Sequence, residues 1–109
     1  MVKMRLKIEN NSNNLKYIPI IRQNNGASIK NIKRNIEDGN SVLECDYFDT
    51  DQLKSLKRTM DALISKGATV HLFQDARAVQ IDYISNLINS YEQIAEDRKN
   101  LDDRILGDN

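Results

Sequence analysis

Chemistry, if this chain performs any, must pass through very few side chains. His71 and Cys45 are its one histidine and one cysteine. A Cys–His nucleophile needs direct hydrogen-bond contact and a third group to orient the imidazole. No local pattern supplies one, and a lone cysteine usually serves as a small buried hydrophobe. His and Cys are not spaced as metal ligands. The run Asp49-Thr50-Asp51 lacks the glycine and the closing glutamate of a calcium loop, and suits a helix cap instead. Gly26 stands alone, as a turn rather than a phosphate cradle. The sequence therefore predicts a protein that is not an enzyme, with no catalytic residues, no metal and no cofactor.

Charge is the other available chemistry. Lys30, Lys33 and Arg34 sit in one short segment, "GASIKNIKR", and Lys54, Lys57 and Arg58 in another. Brought together, they would make a surface for phosphate or for acidic protein. Neither segment interleaves aromatic residues of the kind that stack on bases. Nucleic acid is accordingly the second-choice partner and another protein the first. The formal net charge of zero hides an asymmetry. Residues 1–74 carry 12 basic and 8 acidic residues, hence +4, and residues 75–109 carry 4 and 8, hence −4. A basic body thus precedes an acidic tail.

These residues need elements to position them. Val2 to Glu9 alternates apolar Met4, Leu6 and Ile8 with basic Lys3, Arg5 and Lys7, the period of a half-buried strand. "LKYIPIIRQNNG" predicts a short helix packing through Leu15, Ile18 and Ile21, starting near Ile18 or irregular because Pro19 lacks an N–H. Ser28 suits the N-cap of a second helix with Ile29, Ile32 and Ile36 inward, which ends at Gly39. A second strand follows, with Leu43, Cys45 and Tyr47 on one face and Val42, Glu44 and Asp46 on the other. Asp49 or Thr50 caps a third helix whose inner stripe is Leu53, Leu56, Met60, Leu63 and Ile64. Gly67 stops it before a third strand, "ATVHLF".

From Gln74 or Asp75 to about Leu106 no Gly or Pro interrupts the chain, which predicts one long helix. At 1.5 Å per residue it would span roughly 45 Å, against about 25 Å for a body of this size. It must overhang, bend or meet something else. Ile84, Leu87, Tyr91 and Ile94 follow a heptad seam that Leu101 continues, a candidate for self-association or partner binding. The expected organisation is an α+β body over 1–74, β-α-α-β-α-β with a small antiparallel three-stranded sheet, followed by an amphipathic acidic helix over 75–109.

With 39% apolar and 29% charged residues, the chain is too hydrophobic for disorder. It lacks the h-region of a signal peptide and any apolar run long enough for a membrane span. A cytoplasmic location with no membrane partner is the expectation.

This element order resembles the C-terminal domain of the bacterial ribosomal stalk protein and, more distantly, the Clp protease adaptor fold, over residues 3–73. "IRQNNGASIKNIKRNIEDG" is similar to the stalk stretch Val-Arg-x-x-x-Gly-Leu-Gly-Leu-Lys-Glu-Ala-Lys, with Arg22, Gly26, Lys30 and Lys33 on matching positions. "SKGATVHLF" resembles its closing strand. The resemblance implies a helical hairpin that docks protein factors, with Arg22, Lys30 and Lys33 supplying charge. The chain departs from the pattern where Pro19 replaces a factor-contacting lysine, Ser28 a glycine and Asn31 a glutamate. The family's N-terminal dimerisation domain has no counterpart here.

The resulting expectation is a stoichiometric protein-interaction module, an immunity or inhibitor protein or an adaptor. Its expected partner-binding residues are Arg22, Lys30, Lys33 and Arg34, and a homodimer through the C-terminal helix is possible.

Overall fold

A computed structural model describes the backbone of residues 2–107 and the side chains of residues 2–95. The order is β1 (Lys3–Ile8), α1 (Asn14–Asn25), α2 (Ile29–Asp38), β2 (Leu43–Asp46), α3 (Thr50–Ser65), β3 (Val70–Gln74), β4 (Arg77–Val79) and α4 (Asp82–Gly107). The fold is α+β, with an antiparallel sheet in the order β2-β1-β3-β4. Alternation along β1 places Met4, Leu6 and Ile8 on the helix-covered face, against Leu43 and Cys45 of β2 and Val70 and Leu72 of β3. Burying each such aliphatic side chain contributes about 1.5–3 kcal/mol. The other face carries Lys3, Arg5 and Lys7, with Glu44 3.5 Å from Arg5.

The sheet has four strands, not the expected three. Asp75-Ala76 forms a two-residue hairpin turn, and Arg77–Val79 returns along β3 in the register Leu72↔Val79, Phe73↔Ala78, Gln74↔Arg77. Hairpins this tight require a positive φ, which usually signals itself as Gly or Asn. Here Asp75 adopts φ +53°. It is held by main-chain and side-chain bonds to one residue: its N–H donates to the Lys3 carbonyl at 2.7 Å, and its Oδ1 accepts from the Lys3 N–H at 2.9 Å. The last helix therefore starts at Asp82, seven residues beyond the expected start. The hairpin crosses the boundary read at Gln74.

Four further packing expectations change. Ile64, assigned to the inner stripe of α3, is 40% exposed, while Leu53, Leu56, Met60 and Leu63 are buried. Helix α1 runs unbroken from Asn14 through Pro19. The lost Pro19 N–H leaves one fewer backbone bond, while Tyr17, Ile18 and Ile21 are all buried. Tyr17 takes the inward position assigned to Leu15, which is 76% exposed. In α2 the buried stripe is Ile32 and Ile36, and Ile29 is 52% exposed. Val42, assigned to the outer face of β2, is buried, because its N–H bonds to the Leu6 carbonyl before the regular β2 pairing begins.

Candidate functional site: the outer face of the helical hairpin

Helix α2 is locally well specified. The Ser28 side chain accepts from the Asn31 N–H at 3.2 Å, a standard N-cap. Gly39 closes the other end at φ +73°, with its N–H bonding back to the Ile36 carbonyl. Gly26, at φ +67°, ends α1 in the same left-handed manner and turns the chain into α2. At about 100° per residue, the buried pair Ile32 and Ile36 fixes where the rest point. Ile29 and Lys33 lie one turn apart on the flank facing α1, and Lys30 and Arg34 lie on the solvent side.

All four expected charged residues are exposed. Arg22 and Ile29 line one shallow apolar groove with Ile18, Pro19 and Gln23, about 300 Å³ in volume. Arg22 of α1 is the cation that lines it, and Lys33 follows Ile29 by one turn of α2. Among the described residues, Arg22, Lys30, Lys33 and Arg34 make no ion pair.

The charges of α2 also run against its own dipole. A helix favours acids in its first turn and bases in its last. Helix α2 has no acid in its first turn, where Lys30 stands, and no base in its last, where Glu37 and Asp38 stand.

The second basic segment has a different fate. Lys57 Nζ is 2.7 Å from Asp61 Oδ2, and Lys54 Nζ is 2.6 Å from Glu92 Oε1 on α4. The hydrogen bond and charge of Glu92 push the Lys54 pKa upward. Two of the three α3 cations are thus engaged within the fold, and the six cations do not act as one open patch.

Along the expected α4 seam the positions diverge. Ile84 is fully buried in the molecule's own core, and its neighbour Ile88 is buried as well. Leu87 and Tyr91 are half-buried against that core, and Tyr91 Oη donates to the Tyr47 carbonyl at 3.2 Å. Ile94 is 52% exposed. Leu101 lies outside the residues whose side chains are described. The first turns of α4 therefore complete the monomer, and Ile94 is the exposed seam residue with a described side chain.

Cys45 and His71 do not meet. Cys45 is buried on β2 facing the helices, and His71 is exposed on the opposite face of β3, with β1 between the two strands. At about 4.8 Å per strand spacing, hydrogen-bond contact is out of reach. Burial, with Asp46 and Asp49 nearby, pushes the Cys45 thiol up to about 11, away from thiolate character. His71 Nε2 instead lies 3.0 Å from Glu9 Oε1 at the surface. Among the described residues no three His, Cys, Asp or Glu side chains are grouped to hold a metal ion. No described helix is long and apolar enough to cross a membrane.

One polar cluster had no signal in the sequence. Tyr47 and Tyr83 hydroxyls are 2.9 Å apart, and Tyr83 Oη donates to Gln74 Oε1 at 2.9 Å. The Tyr83 hydrogen bond and burial push the Tyr47 phenol up to about 12. Residues 36 positions apart are joined here by tertiary packing alone. The cluster clasps α4 to the sheet and to the β2–α3 connection.

Compared with protein-family models, curated proteins and solved structures, the chain matches none.

Proposed function

We propose that this protein is a non-catalytic interaction module whose α1–α2 face docks, stoichiometrically, an acidic and partly apolar surface of another protein. The observation that carries this reading is the charge pattern of α2. Its cations are exposed and make no ion pair among the described residues, and Lys30 in the first turn with Glu37 and Asp38 in the last opposes the helix dipole, beside an open apolar groove. Each such placement lowers helix stability by about 0.3–1 kcal/mol. Departures of this kind from local rules concentrate at functional sites. Apolar contact in the groove would supply the affinity, and the cations would set orientation and association rate. The resemblance to the ribosomal-stalk C-terminal domain, whose hairpin docks protein factors, points the same way. An inhibitor or immunity protein and an adaptor both fit this style of action.

The test is titration of the isotope-labelled protein with a synthetic acidic amphipathic helical peptide, followed by NMR. The expected result is saturable shifts over residues 18–34, lost in Lys30→Glu/Lys33→Glu. Shifts confined to other surfaces, or unchanged affinity in that variant, would reject the site.

A further inference from the structure

Strand β3 is paired along the whole of one edge and only part of the other. The ends of its ladder with β1 fix which groups point where. The Glu9 N–H donates to the Thr69 carbonyl at 2.9 Å, and the Asp75 N–H to the Lys3 carbonyl at 2.7 Å. Main-chain groups alternate sides along a strand. His71 and Phe73 therefore direct theirs at β1, and Val70, Leu72 and Gln74 direct theirs at the opposite edge. On that edge β4 pairs with Leu72 and Gln74, through Val79 and Arg77. The chain then leaves the sheet, and the Tyr83 N–H bonds to the Gln80 carbonyl as α4 begins.

Val70 is left with a main-chain donor and acceptor that find no hydrogen-bond partner among the described residues. The residue is only 6% exposed, and orphaned main-chain groups at so buried a position are uncommon in folded proteins. Val70 lines a cleft of about 730 Å³ between β3, α3 and the β4–α4 connection. Met60, Val79 and Ile81, the last 42% exposed, make the cleft apolar.

We infer that this cleft binds an extended segment of another protein, which adds to β3 as an antiparallel strand where β4 leaves off. A helix cannot serve, because its own main-chain groups are spent internally. An apolar small molecule would leave the Val70 pair unmet. An antiparallel strand meets both groups with one residue, in the exchange that Leu72 and Val79 already make. The occupant thus continues an existing pairing in register. The side chain opposite Val70 falls on the same face as Val70, the face that α3 covers with Met60, which calls for an aliphatic residue. Its two neighbours fall on the other face, that of His71, and call for polar ones. Main-chain bonds supply affinity and the alternate side chains specificity. The site shares no residue with the α1–α2 face and does not rest on it.

The test is NMR of the full isotope-labelled chain with a capped seven-residue peptide: a central isoleucine, two threonines on either side and a lysine at each end. In the free protein the Val70 amide should exchange with deuterium faster than those of His71 and Leu72, which are bonded to β1 and β4. Peptide at ten times its Kd should slow Val70 exchange about tenfold. Methylating the isoleucine nitrogen keeps the side chains, removes one main-chain donor and should weaken binding about fivefold or more. A Val70 amide already protected in a monomeric free chain overturns the inference. So does a peptide that fails to bind, or one indifferent to the methyl group. A chain that dimerises and protects Val70 in doing so also overturns it, by making a second copy the occupant.

Discussion

Helices α2 and α3 are both short, amphipathic and lysine-bearing, yet they are built on opposite principles. Helix α3 follows the local rules at its start, although its last turn carries no base. Asp49 caps it by accepting from the Gln52 N–H at 3.1 Å, Asp51 sits in its first turn, and two of its cations are paired. Its inner stripe of Leu53, Leu56, Met60 and Leu63 is buried throughout. Helix α2 shares the cap and the buried stripe but reverses the charge order, makes no ion pair among the described residues, and turns Ile29 outward. The contrast separates a helix whose cations the fold pairs from one whose cations it leaves exposed.

The comparison can be broken most sharply where α4 meets the α3 side. Ile84→Ala should destabilise the protein by about 2–5 kcal/mol, the usual cost of emptying a fully buried aliphatic site. Ile29→Ala on α2 should change stability by no more than about 0.5 kcal/mol. Urea unfolding of the two variants gives the ratio directly; similar losses would mean that Ile29 belongs to the core after all. Next in size, Asp49→Ala removes the α3 cap and should cost about 1 kcal/mol, read as a lower Tm. The smallest effect has the opposite sign. Lys30→Glu relieves the dipole conflict of α2 and should stabilise the fold by about 0.3–1 kcal/mol.

Alkaline pH probes the buried side of the same comparison. In the folded state the Cys45 thiol is held up to about 11 from an ordinary 9.0, and the Tyr47 phenol up to about 12 from 10.0. The folded state therefore keeps these protons longer than the unfolded one. Their stabilising contribution is complete below pH 9 and is lost as pH rises through 9 to 12. Thermal melts across that range should show a falling Tm, and Cys45→Ala should remove part of the slope. At pH 7, reaction of Cys45 with a thiol reagent should occur only as fast as the protein opens.

Much of this was legible in the sequence, for identifiable reasons. Strict alternation in β1, the Ser28 and Asp49 caps and the three helix stripes carry local signals strong enough to place six elements. The fourth strand did not, because Asp75 reaches its positive φ through bonds to Lys3, 72 positions away, and not through a glycine. Ile84 sits on a seam that suits either the body or another chain, because periodicity shows which residues share a face and is silent on what that face meets. That Lys30 and Lys33 make no ion pair among the described residues was equally hidden, since spacing cannot tell which cations find a partner such as Glu92.

The central claim is that α2 gives up stability to keep a binding face open. The most direct measurement takes Lys30→Glu/Lys33→Glu and records Tm and affinity for an acidic amphipathic peptide on the same sample. The account predicts that Tm holds, relief at position 30 offsetting the new like-charge pair of position 33 with Glu37, while binding falls by about tenfold or more. A variant that loses Tm and keeps its affinity would contradict it.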